Sequence, residues 1–231
     1  MLARIDVSLD RLSRTTPAQR IRFMSDAGIT VLLDIGAHVG DYANSLRQFG
    51  YRGRIESFEP LARPYAELCS RAAADPLWGC HQLALGDVSG ALVIHVAGNE
   101  VSSSALNMLA RHVRGAPGSE YVRSEQVTVR RLDDLALIQP TDRAYLKADV
   151  QGFERNVLAG AARTLESVSL LEIELSLVSL YEDGPLYTEM IKYLQAIGFE
   201  LIWIERGFCD ASSGRLLQVD GIFAKRAVER A

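Results

Sequence analysis

The chain lacks any run of apolar residues long enough to cross a bilayer. Met1 to Leu12 alternates charged and apolar residues and contains no hydrophobic stretch of the secretory kind. These two absences predict a cytoplasmic protein with no membrane partner. Cysteine is scarce. Cys69, Cys80 and Cys209 are odd in number, widely spread and free of CxxC spacing. That excludes a disulfide framework and predicts reduced thiols. A basic surplus is missing too: 25 Lys and Arg stand against 29 Asp and Glu, a formal net charge of −4. Nucleic acid is therefore not the expected partner. His38, His81, His95 and His112 show no metal-ligand spacing. Internal repeats, low-complexity tracts and linkers are absent as well. Residues 1–231 are read as one domain, with 1–28 as an N-terminal helical cover and 99–124 as an irregular loop or lid. A hydrophobic share of 48% supplies a sizeable core for a domain of this length.

What is present is organised around Val31 to Gly40, VLLDIGAHVG. Val31, Leu32 and Leu33 form the short apolar run of a buried parallel strand, which Asp34 ends. Gly36, Ala37 and Gly40 make a turn of small residues, and Asp41 opens a helical pattern. Strand, glycine turn and helix begin a nucleotide-binding βαβ unit, in which a ligand approaches backbone N–H groups. Arg54 to Phe58 reads as the second strand and ends at Glu59-Pro60. An acidic residue about 20 positions beyond the turn is placed to bind ribose hydroxyls.

Along the rest of the chain, Thr15-Thr16-Pro17 starts a helix that Gly28 stops, and its expected role is packing beside the first strand. Ala62 to Ala74 is a helix, and Leu83 to Asp87 ends a third strand. Gly90 turns the chain into Ala91 to Val96, a hairpin partner. Asn99 to Ser124 has no period, and irregular stretches of that length are surface loops or mobile lids. Val127 to Val129 is a short strand, Leu132 to Leu135 a short helix and Ala144 to Ala148 a fourth strand. A helix then runs to about Leu165, and Val168 to Leu175 is a fifth strand. Pro185 to Ile197 is a helix, and Phe199 to Glu205 with Leu216 to Lys225 closes the sheet as an antiparallel hairpin. The fold class is α/β, mostly parallel, with helices on both faces. Asp34, Glu59, Leu85 and Asp149 all fall at strand ends, on the edge where such sheets bind ligands.

The motifs DIGAHVGDYA (Asp34 to Ala43), FEP (Phe58 to Pro60), ALGD (Ala84 to Asp87), the serines Ser102 to Ser104, LDD (Leu132 to Asp134) and KADVQGFE (Lys147 to Glu154) together resemble class I S-adenosylmethionine-dependent methyltransferases of the FkbM family. The resemblance covers about residues 30 to 225. It implies a Rossmann-like seven-stranded sheet, bound S-adenosylmethionine and methylation of hydroxyl groups on sugars or natural products. Gln151 stands where many relatives carry Glu.

On that resemblance the cofactor-binding set is Asp34, Gly36, Ala37, Gly40, Glu59, Pro60, Ala84, Leu85 and Ser103. The glycine turn would admit the methionine part, Glu59 would bind both ribose hydroxyls, and Ala84 and Leu85 would flank adenine. The catalytic candidates are Asp149, Lys147 and Glu174. An acceptor hydroxyl is a poor nucleophile and needs a base or a metal ion, and Asp149 could take its proton, orient the donor's amino group or ligate a metal. Lys147 in a central strand needs a partner. Glu172 and Glu174 share one face of a strand, and something cationic should answer them: Lys147, an arginine or a metal ion. Mg²⁺ at Asp149 and Glu174 is the less favoured reading. His112, in the irregular stretch, is read as solvated, and Tyr181 to Pro185 as a turn or a wall of the acceptor pocket. The partner is then a small hydroxylated acceptor, a sugar or glycosylated metabolite, with self-association left open. Two alternatives compete: a catalytically silent S-adenosylmethionine-binding protein, and a nicotinamide-dependent oxidoreductase. The second is disfavoured because GAHVG lacks the G-x-G-x-x-G order and no Tyr-x-x-x-Lys pair follows.

Overall fold

A computed structural model describes residues 16–226. The expected cap at Thr15 and the reading of Met1 to Leu12 lie outside them. Helix α1 is Thr16–Asp26 and strand β1 Val31–Ile35. They are followed by α2 (Asp41–Gln48), β2 (Arg54–Phe58), α3 (Ala62–Ala72) and β3 (Trp78–His81). Next come β4 (Ala84–Leu85), β5 (Gly90–Ala97), α4 (Ala110–Gly115) and β6 (Tyr121–Arg130). The chain continues with β7 (Ala144–Ala148), α5 (Glu154–Ala159), β8 (Val168–Ser176), α6 (Tyr187–Ala196), β9 (Phe199–Arg206) and β10 (Gln218–Lys225). Seven strands form the main sheet in the order β3-β2-β1-β7-β8-β10-β9. The β10 strand runs antiparallel to both its neighbours, and every other pairing in this sheet is parallel.

The alternation of a strand sends successive side chains to opposite faces, so each face has its own core. Val31, Leu33 and Ile35 pack with Val157 and Leu158 of α5 and Met190 and Leu194 of α6. Leu32 and Tyr145 pack on the other face with Met24 of α1, Leu46 of α2 and Leu68 of α3. The order of strands reverses between β1 and β7, and this switch point opens a crevice at their carboxyl ends.

Several elements differ from expectation. The third strand of the main sheet is Trp78–His81. Its glycine and lone aromatic gave little strand pattern, but the Trp78 indole is buried and donates to Ser57 Oγ at 2.9 Å. Ala84–Leu85 instead pairs with β6 in a second sheet of order β4-β6-β5. The hairpin partner of Gly90–Ala97 is likewise β6. The stretch Asn99 to Ser124 is not wholly irregular, since it contains α4 and the first residues of β6. The helix after Glu154 ends at Ala159. There Gly160 passes so near the Gly86 carbonyl that a Cβ would lie 1.9 Å from its oxygen.

Candidate active site

The crevice holds a cavity of about 820 Å³ including its open mouth, a size that suits a small organic ligand. One wall is the end of β1 and β2, with Ile35, Gly36, Phe58, Glu59 and Pro60. The facing wall is Asp149 to Gln151 and Phe153, after β7. Leu83, Ala84, Leu85, Leu92 and Ile94 make an apolar end, and Glu100, Val101 and Ser103 to Ala105 close the side.

Gly36 lies at φ +74, and a Cβ there would sit 2.0 Å from the Asp149 carbonyl oxygen. The turn after β1 and the turn after β7 therefore touch through backbone alone. Gly36→Ala forces a clash with backbone and a disfavoured φ together, so it is expected to cost more than about 1 kcal/mol. That is a fall in melting temperature of at least about 2–4 °C for a chain of this size. An unchanged melting curve by calorimetry would contradict this contact.

Glu59 is buried in the cavity wall. Each of its oxygens accepts one backbone N–H, His38 to Oε2 and Leu61 to Oε1, both at 2.9 Å. This fixes the carboxylate plane and leaves lone pairs for a ligand. Burial pushes its carboxyl up to about 7 despite the two amides and Lys147. His38 reaches Glu59 from a positive φ of 48, a contact that its sequence position did not reveal. Three further amides of the turn are engaged: Gly36 and Ala37 both donate to Phe58 O at 3.0 Å, and Gly40 to Ala37 O at 2.8 Å.

Of the residues expected to hold a cofactor, Gly36, Glu59, Pro60, Ala84, Leu85 and Ser103 line this cavity. Asp34, Ala37 and Gly40 do not. Asp34 is fully buried beneath it. Ala37 belongs to the core with α1, α2 and α3. Gly40 backs onto Leu68 and Trp78, where a Cβ would come within 2.8 Å of Leu68 Cδ1. Packing and a φ of +82 both call for glycine here.

Lys147 is the buried cation beside the cavity. Its Nζ lies 3.7 Å from Asp34 Oδ1, 3.6 Å from Asp149 Oδ2 and 3.3 Å from Gly36 O, and 5.3 Å from the Tyr42 ring centre. Burial opposes its charge, but Asp149, Asp34, Glu172 and Asp220 outweigh it and hold the ammonium protonated well above the ordinary value. Burial raises Asp34, with Lys147 opposing. The partner that a central-strand lysine requires is thus supplied twice.

The two acidic residues of β8 have different answers. Glu172 is met by Arg20 of α1, whose Nε lies 2.8 Å from Oε2, by the Tyr42 hydroxyl at 2.7 Å and by the Tyr145 hydroxyl. The N-terminal helix therefore does more than pack, because it delivers the guanidinium that neutralises a buried carboxylate. Glu174 is met by amides: Gln218 Nε2 at 2.6 Å and Gln151 Nε2 at 3.0 Å. Burial, with Asp149, Glu154 and Asp220 nearby, pushes Glu174 well above the ordinary carboxylate value. Among the described residues no group of three or more His, Cys, Asp or Glu is placed to hold a metal ion.

Other side chains depart from expectation or complete the site. His112 is not solvated: it is 2% exposed, its ring lies against Tyr181 and Phe208, and burial lowers it to about 4. Tyr181 is buried and donates to Gln151 Oε1 at 2.6 Å. Glu154 caps the turn after β7, accepting from Val150 N at 3.0 Å and Gly152 N at 3.2 Å. Ser102 and Ser103 serve their own turn, Ser102 with Asn99 and Ser103 with the backbone of Ala97 and Glu100. Arg63 of α3 pairs with Glu100 across that turn.

Comparison with known proteins agrees with this geometry. One curated relative, 2-O-methyltransferase NoeI of Sinorhizobium fredii, is 26% identical over 161 residues, which is 66% of this chain and 65% of that protein. The chain thus spans just under two thirds of that relative's length. Among solved structures, Streptococcus pneumoniae Sp1610, a putative tRNA (m1A22) methyltransferase in complex with S-adenosyl-L-methionine, has a TM-score of 0.50 at 12% identity, covering 92% of this chain and 75% of that one. A Burkholderia thailandensis 1,6-didemethyltoxoflavin-N1-methyltransferase with bound S-adenosylhomocysteine has a TM-score of 0.49 at 10% identity, covering 94% and 82%. The sheet order and the TM-score of 0.50 with the Streptococcus pneumoniae protein show a shared class I Rossmann-like fold. The profile described as "Methyltransferase FkbM domain" matches residues 34–201, from the aspartate of β1 into β9. The chain therefore belongs to the FkbM family of methyltransferases.

Proposed function

We propose that the protein is an S-adenosylmethionine-dependent O-methyltransferase acting on a hydroxyl of a sugar or other small natural product. The observation that carries this reading is one cavity with Glu59 on one wall and Asp149 on the other. The residues present fit the donor. Glu59 has lone pairs free for two ribose hydroxyls, Ala84, Leu85 and Ile94 make an apolar slot for adenine, and Gly36 and Asp149 line the stretch of cavity left for the methionine part. The turn reads GAHVG and lacks the G-x-G-x-x-G order of a dinucleotide site, which counts against a nicotinamide dinucleotide. When bound, S-adenosylmethionine supplies a methyl group already activated on a sulfonium. The protein's part is then positioning and proton removal. Asp149 accepts the proton of the acceptor hydroxyl, and the Lys147 ammonium lies 3.6 Å from its Oδ2. Arg63 and Glu100 hold the turn that shields the cavity from water.

Label from methyl-labelled S-adenosylmethionine should appear on oxygen in a panel of sugars and glycosylated metabolites. Donor binding with no transfer to any member of a broad panel would favour the silent binding protein instead. Glu59→Ala should weaken donor binding by about 1.5–3 kcal/mol, the scale of hydrogen bonds to a charged group, as read by equilibrium dialysis. Unchanged affinity would mean that the ribose is held elsewhere. Ribose hydroxyls donate to the anion, and Glu59 sits near 7. Donor affinity should therefore rise between about pH 6 and about pH 8, and Glu59→Ala should abolish that rise.

A further inference from the structure

The turn after β7 contains an amide in an unusual position. Gln151 has φ 56 and is followed by Gly152 at φ 98, so two successive residues are left-handed and the first carries a long side chain. Such a conformation costs free energy and persists only where surrounding contacts over-determine it. They do so here. Ser104 Oγ donates to the Gln151 backbone carbonyl at 2.7 Å. At the side chain, the Tyr181 hydroxyl donates to Oε1 at 2.6 Å. Nε2 donates to Asp149 Oδ1 at 2.7 Å and to Glu174 Oε2 at 3.0 Å. The carboxylate side sets which way the amide points: an ionised carboxylate only accepts, so the NH₂ group turns toward Asp149 and Glu174 and Oε1 is left for the Tyr181 hydroxyl.

We infer that Tyr181 and Gln151 are a positioning pair: the amide is a neutral double donor that holds Asp149 and Glu174 side by side and aims Asp149 into the cavity. This rests on the reading of Asp149 as the group that prepares the acceptor. Two carboxylate oxygens within 3.0 Å of one nitrogen are close neighbours, and without a shared donor they repel. An acid at residue 151 would add a third like charge to this crowd, and a shorter side chain would not reach across it. The charged and titratable groups facing the pair come from every side. Glu174 is faced by Asp149 after β7, Lys147 on β7, Glu154 on α5 and Asp220 on β10, and Tyr181 by Tyr121 on β6 and His112 on α4. Tyr181 itself is kept protonated by burial and by Glu174, so it remains a donor. Lys147 approaches the other oxygen of Asp149, Oδ2, so ammonium and amide grip opposite ends of one carboxylate.

The test is titration of Glu174 in the full chain, which needs neither donor nor acceptor. Carboxyl ¹³C shifts of glutamate-labelled protein report protonation, and Glu174→Gln assigns the resonance. Gln151→Met keeps length and neutrality but removes the donor, so the Glu174 midpoint should move to higher pH by about one unit. Tyr181→Phe, which leaves the amide in place but unanchored, should move it the same way by less. Gln151→Glu should also raise it. If Gln151→Met does not fold, Tyr181→Phe decides alone. An upward shift supports the pair, and an unmoved midpoint in the folded variants overturns it. The role of Asp149 in methyl transfer is read separately, by Asp149→Asn, so loss of one inference does not carry the other with it.

Discussion

Asp149→Asn should lower turnover by about 10²–10⁴-fold, the usual size of a general acid–base contribution, while donor affinity stays within about threefold. The reasoning is geometric. Asp149 lines the cavity, and its two oxygens are held by different groups, Oδ1 by Gln151 and Oδ2 near Lys147. Asparagine keeps the volume and one acceptor oxygen for Gln151, but turns an NH₂ group toward Lys147 and cannot take a proton. Glu59, the proposed ribose contact, lies on the other wall of the cavity and is untouched. The expected signature is thus a fall in kcat with little change in donor dissociation constant. A chelator should leave turnover of the unmutated protein unaltered if the carboxylate acts alone, and should abolish it if the carboxylates work through Mg²⁺. Wild-type turnover by Asp149→Asn would move the search for the base to Tyr181 and the turn at Glu100.

The second large effect lies in stability. Arg20→Met should destabilise the fold by about 3–5 kcal/mol, because it strands the buried carboxylate of Glu172. For a chain of this length that corresponds to a fall in melting temperature of the order of 10 °C. Burial opposes ionisation of Glu172, but Arg20, Tyr145 and Tyr42 together hold it below its ordinary value of 4.5. A carboxylate lowered in the folded state contributes stability that is present above its unfolded value and is lost as pH falls through the folded one. The gap between variant and parent should therefore be full where Glu172 is ionised in both, shrink as falling pH protonates the stranded carboxyl of the variant, and close only below the lowered value of the parent's Glu172. A gap that ignores pH would mean that Arg20 acts through its aliphatic stem alone. Because Glu172 is the register partner of Lys147 across β7 and β8, this pair also supports the strand that carries Lys147.

Local pattern made the central sheet legible. Val31 to Ile35, Ala144 to Ala148 and Val168 to Ser176 are apolar runs between turns, and their strands lie where the runs do. Glu59 was legible for the same reason, as an acid at a fixed distance past a glycine turn, and the structure brings it into one cavity with Asp149. The second sheet was not legible. Ala84–Leu85 is too short to carry a period, and its partner β6 lies far along the chain. Arg20 was missed because its partner is 152 residues away and nothing near Arg20 in sequence reveals a buried carboxylate. His112 was misjudged because its neighbours in sequence are polar while its neighbours in space are the rings of Tyr181 and Phe208. Gly40 was assigned to ligand approach on motif grounds, and its spacing said nothing of Leu68 and Trp78, which stand against it in the fold. Spacing identifies which residues share an edge; it does not say what stands behind them.

The most direct test of the account is calorimetric titration of the protein with S-adenosylhomocysteine and, separately, with NAD. The account predicts saturable one-to-one binding of S-adenosylhomocysteine, weakened by Glu59→Ala, and no measurable heat with NAD. Tight NAD binding, with no binding of S-adenosylhomocysteine, would contradict it.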